Sequence, residues 1–359
     1  MPPPRTSPLL MDELVEEILM RLPPDDPKSL VRAALVSKHW CRLISDAGFR
    51  RRFREFHGTA PILGFLWDHM DDALFVPVTS SSFLPHVHHH DMRPCDSRHG
   101  RVLLSNYPEY YDDLIIVIWD PIANVKLELP EPPPRRLFPE TWNMAVLCDA
   151  TASPCDHLDC HGGPFIVVLL GTEEKEIFSC VFSSKTGMWS EPVSTAQCNV
   201  RVSRWERSAL VRNTLFFVAA KKKGILTYDL GTQHISVIQV PIWEDPVCPS
   251  FIELTTTEDG RPGFVRVENF ELRLWSRADV GGRWEISKVI NLKRLLPIDC
   301  SRSTMPVLLG SAEGIGVIFL NVKNEIFTID LRSSKVTKVY EASCIGVVVP
   351  YLNFYTPGP

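Results

Sequence analysis

Hydrophobic and polar positions follow two different periods along this chain, and the change of period divides it. Between Leu10 and Phe53 the apolar residues recur at helical spacing. Leu14, Val15, Ile18, Leu19 and Leu22 fall on one stripe. Asp12 is the expected N-cap, and Glu13, Glu16 and Glu17 suit the positive end of that helix. Pro23 and Pro24 stop it, because proline lacks an N–H and clashes with the preceding turn. Asp26-Pro27 restarts a helix with proline at its tolerated first position, and Leu30, Ala33 and Ala34 face inward. Ser37 caps a third helix that carries Trp40, Leu43 and Ile44. Three short helices make too small a core to be robust alone. They must pack on the rest of the chain or keep an apolar face for a partner helix. Residues 1–9, rich in proline, are expected to be disordered.

A bridge, REFHGTAP, leads from Phe53 to a strand over Ile62–Trp67. Asp68–Arg98, with its serine run and its histidines, is read as a long irregular loop. From Gly100 onward, runs of four to eight β-branched and aromatic residues alternate with Gly, Pro, Asp, Asn and Ser turns. Several runs end in a short signature: Trp119-Asp120-Pro121, Phe182-Ser183-Ser184, Tyr228-Asp229-Leu230, Leu274-Trp275-Ser276 and Ile329-Asp330-Leu331. The steps between their first residues are 63, 46, 46 and 55. Four short strands with turns need about 40–50 residues, the size of a propeller blade. In each signature the apolar residue finishes an inward-facing strand, and Asp or Ser closes the turn on its own backbone. Five repeats are visible and a sixth can be assembled. The C-terminal strand Ile345–Leu352 is expected beside Ile62–Trp67, closing the ring and removing its edges. The expected fold is α+β and multidomain: a three-helix domain over residues 10–57, then an all-β propeller of about six degenerate blades over 58–359. A β-sandwich is the alternative.

The helical stretch carries a specific resemblance. The order L-x-D-E-L-x-x-E-I-L-x-R-L-P, D-x-x-S-L, L-V-S-K-x-W-x-x-L-I-S-D and F-R-R-R-F resembles an F-box. It departs from the usual pattern at Leu10-Met11, where Leu-Pro is common, and at Val36-Ser37-Lys38, where many members have Val-Cys-Lys. The layout of an F-box before degenerate β repeats, with Asp-Pro turns and the proline-rich run Leu129–Pro134, resembles plant F-box proteins with an F-box-associated propeller. The resemblance implies docking on a Skp-family adaptor and, through it, a cullin and a RING subunit, with the β domain holding a protein substrate. It maps the adaptor-facing positions onto Leu10, Leu14, Ile18, Leu19, Leu22, Pro23, Leu30, Val36, Ser37, Trp40, Leu43 and Ile44. Some of these must hold the helices together instead.

Composition narrows the function classes. Apolar residues make up 45 % of the 359 and charged residues 23 %, an ordinary globular balance. A net charge of −5 gives no overall attraction to nucleic acid. The clusters Arg50-Arg51-Arg52 and Lys221-Lys222-Lys223 read as solvated surface. No apolar run reaches the ~20 residues of a membrane span, and MPPPRTSP lacks the apolar core of a signal peptide. The expected setting is cytoplasm or nucleus, with the ten cysteines reduced.

Candidate chemistry is sparse. There is no nucleophile elbow, phosphate loop or dinucleotide fingerprint, and Gly310–Gly314 reads as a hairpin turn. The histidine run over 86–90 lacks cysteine or carboxylate partners at ligand spacing apart from Asp91. Cys155, His157, Cys160 and His161 could supply four zinc ligands, but ligands packed this closely would strain the backbone, and zinc sites usually pair two separated arms. That stretch is therefore expected to be a polar loop, with no metal or cofactor. RVSRWERS places Arg204, Trp205 and Arg207 before a strand. Arg and Trp are hot-spot residues, so these three are the candidate substrate contacts, and a core tryptophan flanked by surface arginines is the alternative. Three functions follow: a non-catalytic substrate receptor of a ubiquitin ligase, an F-box scaffold outside ubiquitination, or a propeller enzyme or sugar binder with a regulatory F-box.

Overall fold

The computed structural model describes residues 11–69, 72–78, 84, 86–106, 113–133, 141–149, 155–158, 160–173, 176–195, 200–220, 224–241, 252–268, 270–278, 282–297, 304–342 and 346–357. Residues 1–10, including Leu10, and Lys221–Lys223 lie outside them. The N-terminal part has four helices, not three: α1 (Asp12–Met20), α2 (Pro27–Val36), α3 (Lys38–Ser45) and α4 (Ala47–His57). Met11, not Asp12, is the N-cap of α1, and Asp12 instead meets His39 at 2.8 Å. Proline opens α2, as its tolerated place predicts. The Ser37 hydroxyl caps α3 by accepting the Trp40 N–H at 3.1 Å. Asp46 caps α4 through the Phe49 N–H at 2.9 Å, and Gly58, with φ +68°, ends it.

The run FRRRF falls within this fourth helix. Its polarity hides it, because Phe49 and Phe53 are its only buried apolar residues and the third buried position is Arg54. Both are fully buried with Val15, Leu19, Leu30, Ala33 and Ile44, and the same core takes in Phe354 from the far end of the chain. The Phe53 and Phe354 rings meet edge to face at 6.4 Å. The F-box-like helices are too few to close a core alone, and the C-terminal segment completes it. Phe354→Ala is expected to cost about 3–5 kcal/mol through the cavity left at this junction. Hydrogen exchange would read it as lost protection of α4, and unchanged protection there would contradict the packing account.

Six antiparallel sheets follow, each a blade. Blade 1 pairs β1 (Ile62–His69), β2 (Asp72–Pro77) and β3 (Val87–His89) with β25 (Val348–Leu352) on the inner side. Blade 2 holds β4 (Met92–Arg98), β5 (Arg101–Asn106), β6 (Ile116–Asp120) and β7 (Val125–Glu128). Blade 3 holds β8 (Thr141–Cys148), β9 (Phe165–Glu173), β10 (Glu176–Ser183) and β11 (Met188–Trp189), with β12 (Val193–Thr195) also on β10. Blade 4 runs β13 (Ala209–Val211), β14 (Thr214–Val218), β15 (Ile225–Asp229) and β16 (Ile235–Ile238). Blade 5 runs β17 (Ile252–Thr256), β18 (Pro262–Glu268), β19 (Glu271–Arg277) and β20 (Trp284–Asn291), followed by the short α5 (Leu292–Leu295). Blade 6 runs β21 (Val307–Ala312), β22 (Val317–Val322), β23 (Glu325–Asp330) and β24 (Val336–Glu341). The ring closes as the sequence predicts: β25 pairs β1, with Phe65 opposite Pro350 and Trp67 opposite Val348.

The segment expected to be a long loop over 68–98 instead contains β2, β3 and β4. β3 is an outer strand, and β4 is an innermost one whose polar sequence concealed it. Likewise Gly310 and Ser311 belong to β21 rather than to a turn. A side chain at Gly310 would meet the Val348 carbonyl at 2.2 Å, so glycine permits the close approach of β21 and β25 where the ring closes.

Among the described residues, six apolar clusters fill the gaps between neighbouring blades. The second strand of a blade is covered on both faces, which is why GRVLLSN and PFIVVLLGT read as unbroken apolar runs. The recurring aspartates act at the turn after the third strand. Asp120 accepts from the N–H groups of Ile122 and Ala123, Asp229 from Gly231 and Thr232, and Asp330 from Arg332 and Ser333, all at 2.8–3.0 Å. No described helix is long and apolar enough to cross a membrane.

Candidate functional site

The helical domain separates its apolar residues into two sets. Leu19, Leu30 and Ile44, three of the positions mapped to the adaptor, are buried and hold the helices together. Leu22, Trp40 and Leu43 are half-buried against the same core. Leu14, Ile18, Pro23, Val36 and Ser37 are exposed. Met11 and Leu35, absent from the mapping, are exposed as well, Leu35 by 81 %. Leu35 was detectable in principle, because it lies off the Leu30–Ala33–Ala34 stripe yet is strongly apolar. The Asp12–His39 contact at 2.8 Å draws the start of α1 to the start of α3, and exposed apolar residues lie on α1, on the last turn of α2 and, with Phe56, on α4. Glu16 and Arg52, 2.6 Å apart, tie α1 to α4. The helix carrying Leu14 and Ile18 is thereby held by contacts on its other faces.

The propeller channel is crossed by a buried charge network. Asp96 on β4 is fully buried and bridges two arginines: Arg98, in an ion pair, and Arg207, whose Nε donates at 2.8 Å. Asp96 also accepts the Val146 N–H from β8 at 3.0 Å. Arg98 donates to Glu313 at 3.0 Å and to the Ser208 carbonyl at 2.6 Å, and Arg207 donates to the carbonyls of Ser97 and Ser311. Charges of both signs thus join blades 2, 3 and 6 and the segment entering blade 4. No sequence period marks these residues, because their partners lie as far as 215 positions away. Arg207 is buried, not at the surface, and its guanidinium is committed to this network. That corrects its expected surface role.

Glu253 on β17 lies beside the network and accepts the Ser311 N–H at 3.2 Å. Burial pushes its carboxyl up to about 8, against the pull of Arg207. The folded chain therefore holds a proton that the unfolded chain releases above about 4.5. Stability from this group is fully present at low pH and falls as pH rises from about 4.5 to about 8. Glu253→Gln removes that slope. Urea unfolding should show the variant gaining on the parent chain across this window, by a few kcal/mol at most. A difference independent of pH would contradict the assignment.

The segment 200–206 covers one mouth of the channel. Asn143 donates to the carbonyls of Ser203 and Glu206 at 2.7 and 2.8 Å, and Arg93 donates to that of Arg204 at 2.8 Å. Arg93 also lies over the Trp142 ring at 4.3 Å and the Trp205 ring at 5.9 Å. Trp205 itself is half exposed, so it is not a core tryptophan, and Arg204 is partly buried beside it. The other mouth opens on a cavity of about 260 Å³ lined by Arg98, His99, Glu313 and Asn353, and by Ala60 and Phe354 next to the helices. Five residue steps of β4 separate Arg93 from Arg98, about 16 Å at an extended rise. Arg204 and Trp205 therefore sit toward the end of β4 remote from the cavity that Arg98 and His99 line.

The histidine run does not converge on a site. His89 is buried against Trp119, ring centroids 4.4 Å apart, and burial lowers its imidazole to about 4. His88 stacks on His90. The cysteine-rich stretch behaves differently. Cys155, His157 and Cys160 converge with Cys148, the last residue of β8, and not with His161.

The chain thus joins a small helical domain with exposed apolar residues to a closed six-bladed propeller. The F-box domain family matches residues 9–52. The family described as F-box protein AT5G49610-like, beta-propeller matches residues 95–358, and the chain belongs to it. No curated protein matches the chain. Among solved structures, a chain of a nidogen/laminin complex is 11 % identical, with 81 % of this chain and 97 % of that one covered and a TM-score of 0.48. An aldose sugar dehydrogenase from Streptomyces coelicolor in its PQQ-bound form is 12 % identical over 70 % of this chain and 83 % of its own, with a TM-score of 0.39. The propeller domain of the Trilobed protease from Pyrococcus furiosus is 9 % identical over 79 % and 97 %, with a TM-score of 0.39. Nothing about ligand or activity is carried over from these three.

Proposed function

We propose that this chain is a non-catalytic substrate receptor of a cullin–RING ubiquitin ligase. The exposed apolar residues of α1 and α2 dock a Skp-family adaptor, and the propeller holds the target protein. The reading is supported by two separate sets of exposed residues, one on each domain of the chain. The apolar residues Leu14, Ile18 and Val36 are exposed on the helical domain, and Trp205 is exposed beside Arg204 on the propeller. A target bound through the Trp205 face is held on the same chain as the adaptor. Tethering then raises its effective concentration at the conjugating enzyme, without any reacting group from this chain.

Reconstitution of the full chain with adaptor, cullin and RING subunit tests this reading. It predicts one four-component species on size exclusion. A complex that contains adaptor but excludes cullin would instead favour a scaffold outside ubiquitination.

A further inference from the structure

We propose that Cys148, Cys155, His157 and Cys160 form a structural Zn²⁺ site that braces the F-box against the propeller. One ligand atom from each of the four lies within 4.8 Å of all the others. A tetrahedral site with Zn–S near 2.3 Å and Zn–N near 2.0 Å has ligand–ligand edges of about 3.5–3.8 Å. His157 Nδ1 and Cys160 Sγ already stand 3.8 Å apart. The remaining edges close with side-chain adjustments of an ångström or less. The three thiols are not joined by a disulfide. Three thiolates with one imidazole make a soft, nitrogen–sulfur set that selects zinc over calcium, magnesium or manganese.

The two arms that the contiguous sequence lacks are supplied by the fold. Cys148 ends a strand, and its N–H donates to His99 Nδ1 at 3.1 Å. The other three ligands come from the connection to β9. There the His157 N–H approaches Cys155 Sγ at 3.4 Å, an amide-to-sulfur contact that stabilises a thiolate. The His157 ring lies flat on His99, centroids 4.0 Å apart and planes 2° from parallel, which fixes its orientation.

The surroundings also fit the charge. Three thiolates and a neutral imidazole on Zn²⁺ carry a net charge of −1. Arg101, buried next to the cluster, donates through Nη2 to the Cys160 carbonyl at 2.8 Å. Its other terminal nitrogen, Nη1, is buried with no hydrogen-bond partner among the described residues. An arginine so placed neutralises the anionic site.

The site lies where the two domains meet. Asp156, between two ligands, is 3.6 Å from Arg51 on α4. Leu158, also between ligands, packs into the F-box core alongside Phe354. Zinc would fix this loop and, through it, the seat of the adaptor-binding domain.

Metal analysis of the full chain, purified without a polyhistidine tag under reducing conditions, tests the site. One zinc per chain is expected, retained by Cys180→Ser and by His88→Gln/His90→Gln, and lost from Cys155→Ser/Cys160→Ser. Cobalt exchanged into the parent chain should show the thiolate-to-metal and ligand-field bands of a tetrahedral Cys₃His site, a readout that needs no variant to fold. Substoichiometric zinc, zinc retained by the double serine variant, zinc lost with His88 and His90, or cobalt spectra without thiolate bands would each overturn the proposal.

Discussion

Leu14→Asp combined with Ile18→Asp is expected to abolish adaptor binding while leaving the chain folded. Both residues are about half exposed, and they stand one turn apart on α1. Their immediate neighbours Val15 and Leu19 are the ones that enter the core. In the free chain, aspartates at 14 and 18 would remain in water. In a complex that covers them, two carboxylates would be desolvated without partners, a penalty of about 3–5 kcal/mol or more, at least a hundredfold in Kd. The matched control is Val15→Asp with Leu19→Asp, which places the same charges inside the core and should unfold the domain. Titration of the adaptor checks the first variant and circular dichroism checks both. Undiminished binding by a folded Leu14→Asp/Ile18→Asp chain would remove α1 from the interface.

The second large effect belongs to the propeller. Asp96→Ala removes the shared counter-ion of Arg98 and Arg207 and the acceptor of the Val146 N–H in one step. Two buried cations would then face each other across the channel. Breaking a buried pair costs about 3–5 kcal/mol, a large share of the about 5–15 kcal/mol that holds a typical domain together. Urea denaturation followed by tryptophan fluorescence should show that loss as a lower midpoint. Exchange of the whole network for apolar residues of similar volume need not be costly, so the single substitution is the informative one. An Asp96→Ala chain within about 1 kcal/mol of the parent would mean that the channel is wetter and less coupled than its hydrogen bonds imply.

What the sequence revealed and what it hid follow from where each residue finds its partner. Strands covered on both faces, such as β9 and β14, announce themselves as apolar runs. The turn aspartates announce themselves because they bond to their own backbone two or three residues on. Closure by the C-terminal strand was legible from the need to pair both edges. By contrast, Met92-Arg-Pro-Cys-Asp-Ser-Arg98 reads as loop. It forms an innermost strand because its polar side chains are satisfied by residues from other blades. The fourth helix was concealed in the same way, its two phenylalanines finding Phe354 some three hundred positions later. In the candidate sites, the apolar stripe of α1 was visible, but its division into inward Val15 and Leu19 and outward Leu14 and Ile18 depends on α4 and the propeller. Arg207 resembled a surface arginine until Asp96 was placed beside it. Cys148 carried no signal, since it lies seven residues before the cluster that it completes.

Hydrogen exchange on the full-length chain, with and without a Skp-family adaptor, tests the central claim most directly. The account predicts slowed exchange in peptides spanning Met11–Leu22 and Leu35–Trp40, with β4 and the Arg204–Trp205 segment unchanged. Protection confined to the propeller, or no binding by the folded chain, would contradict it.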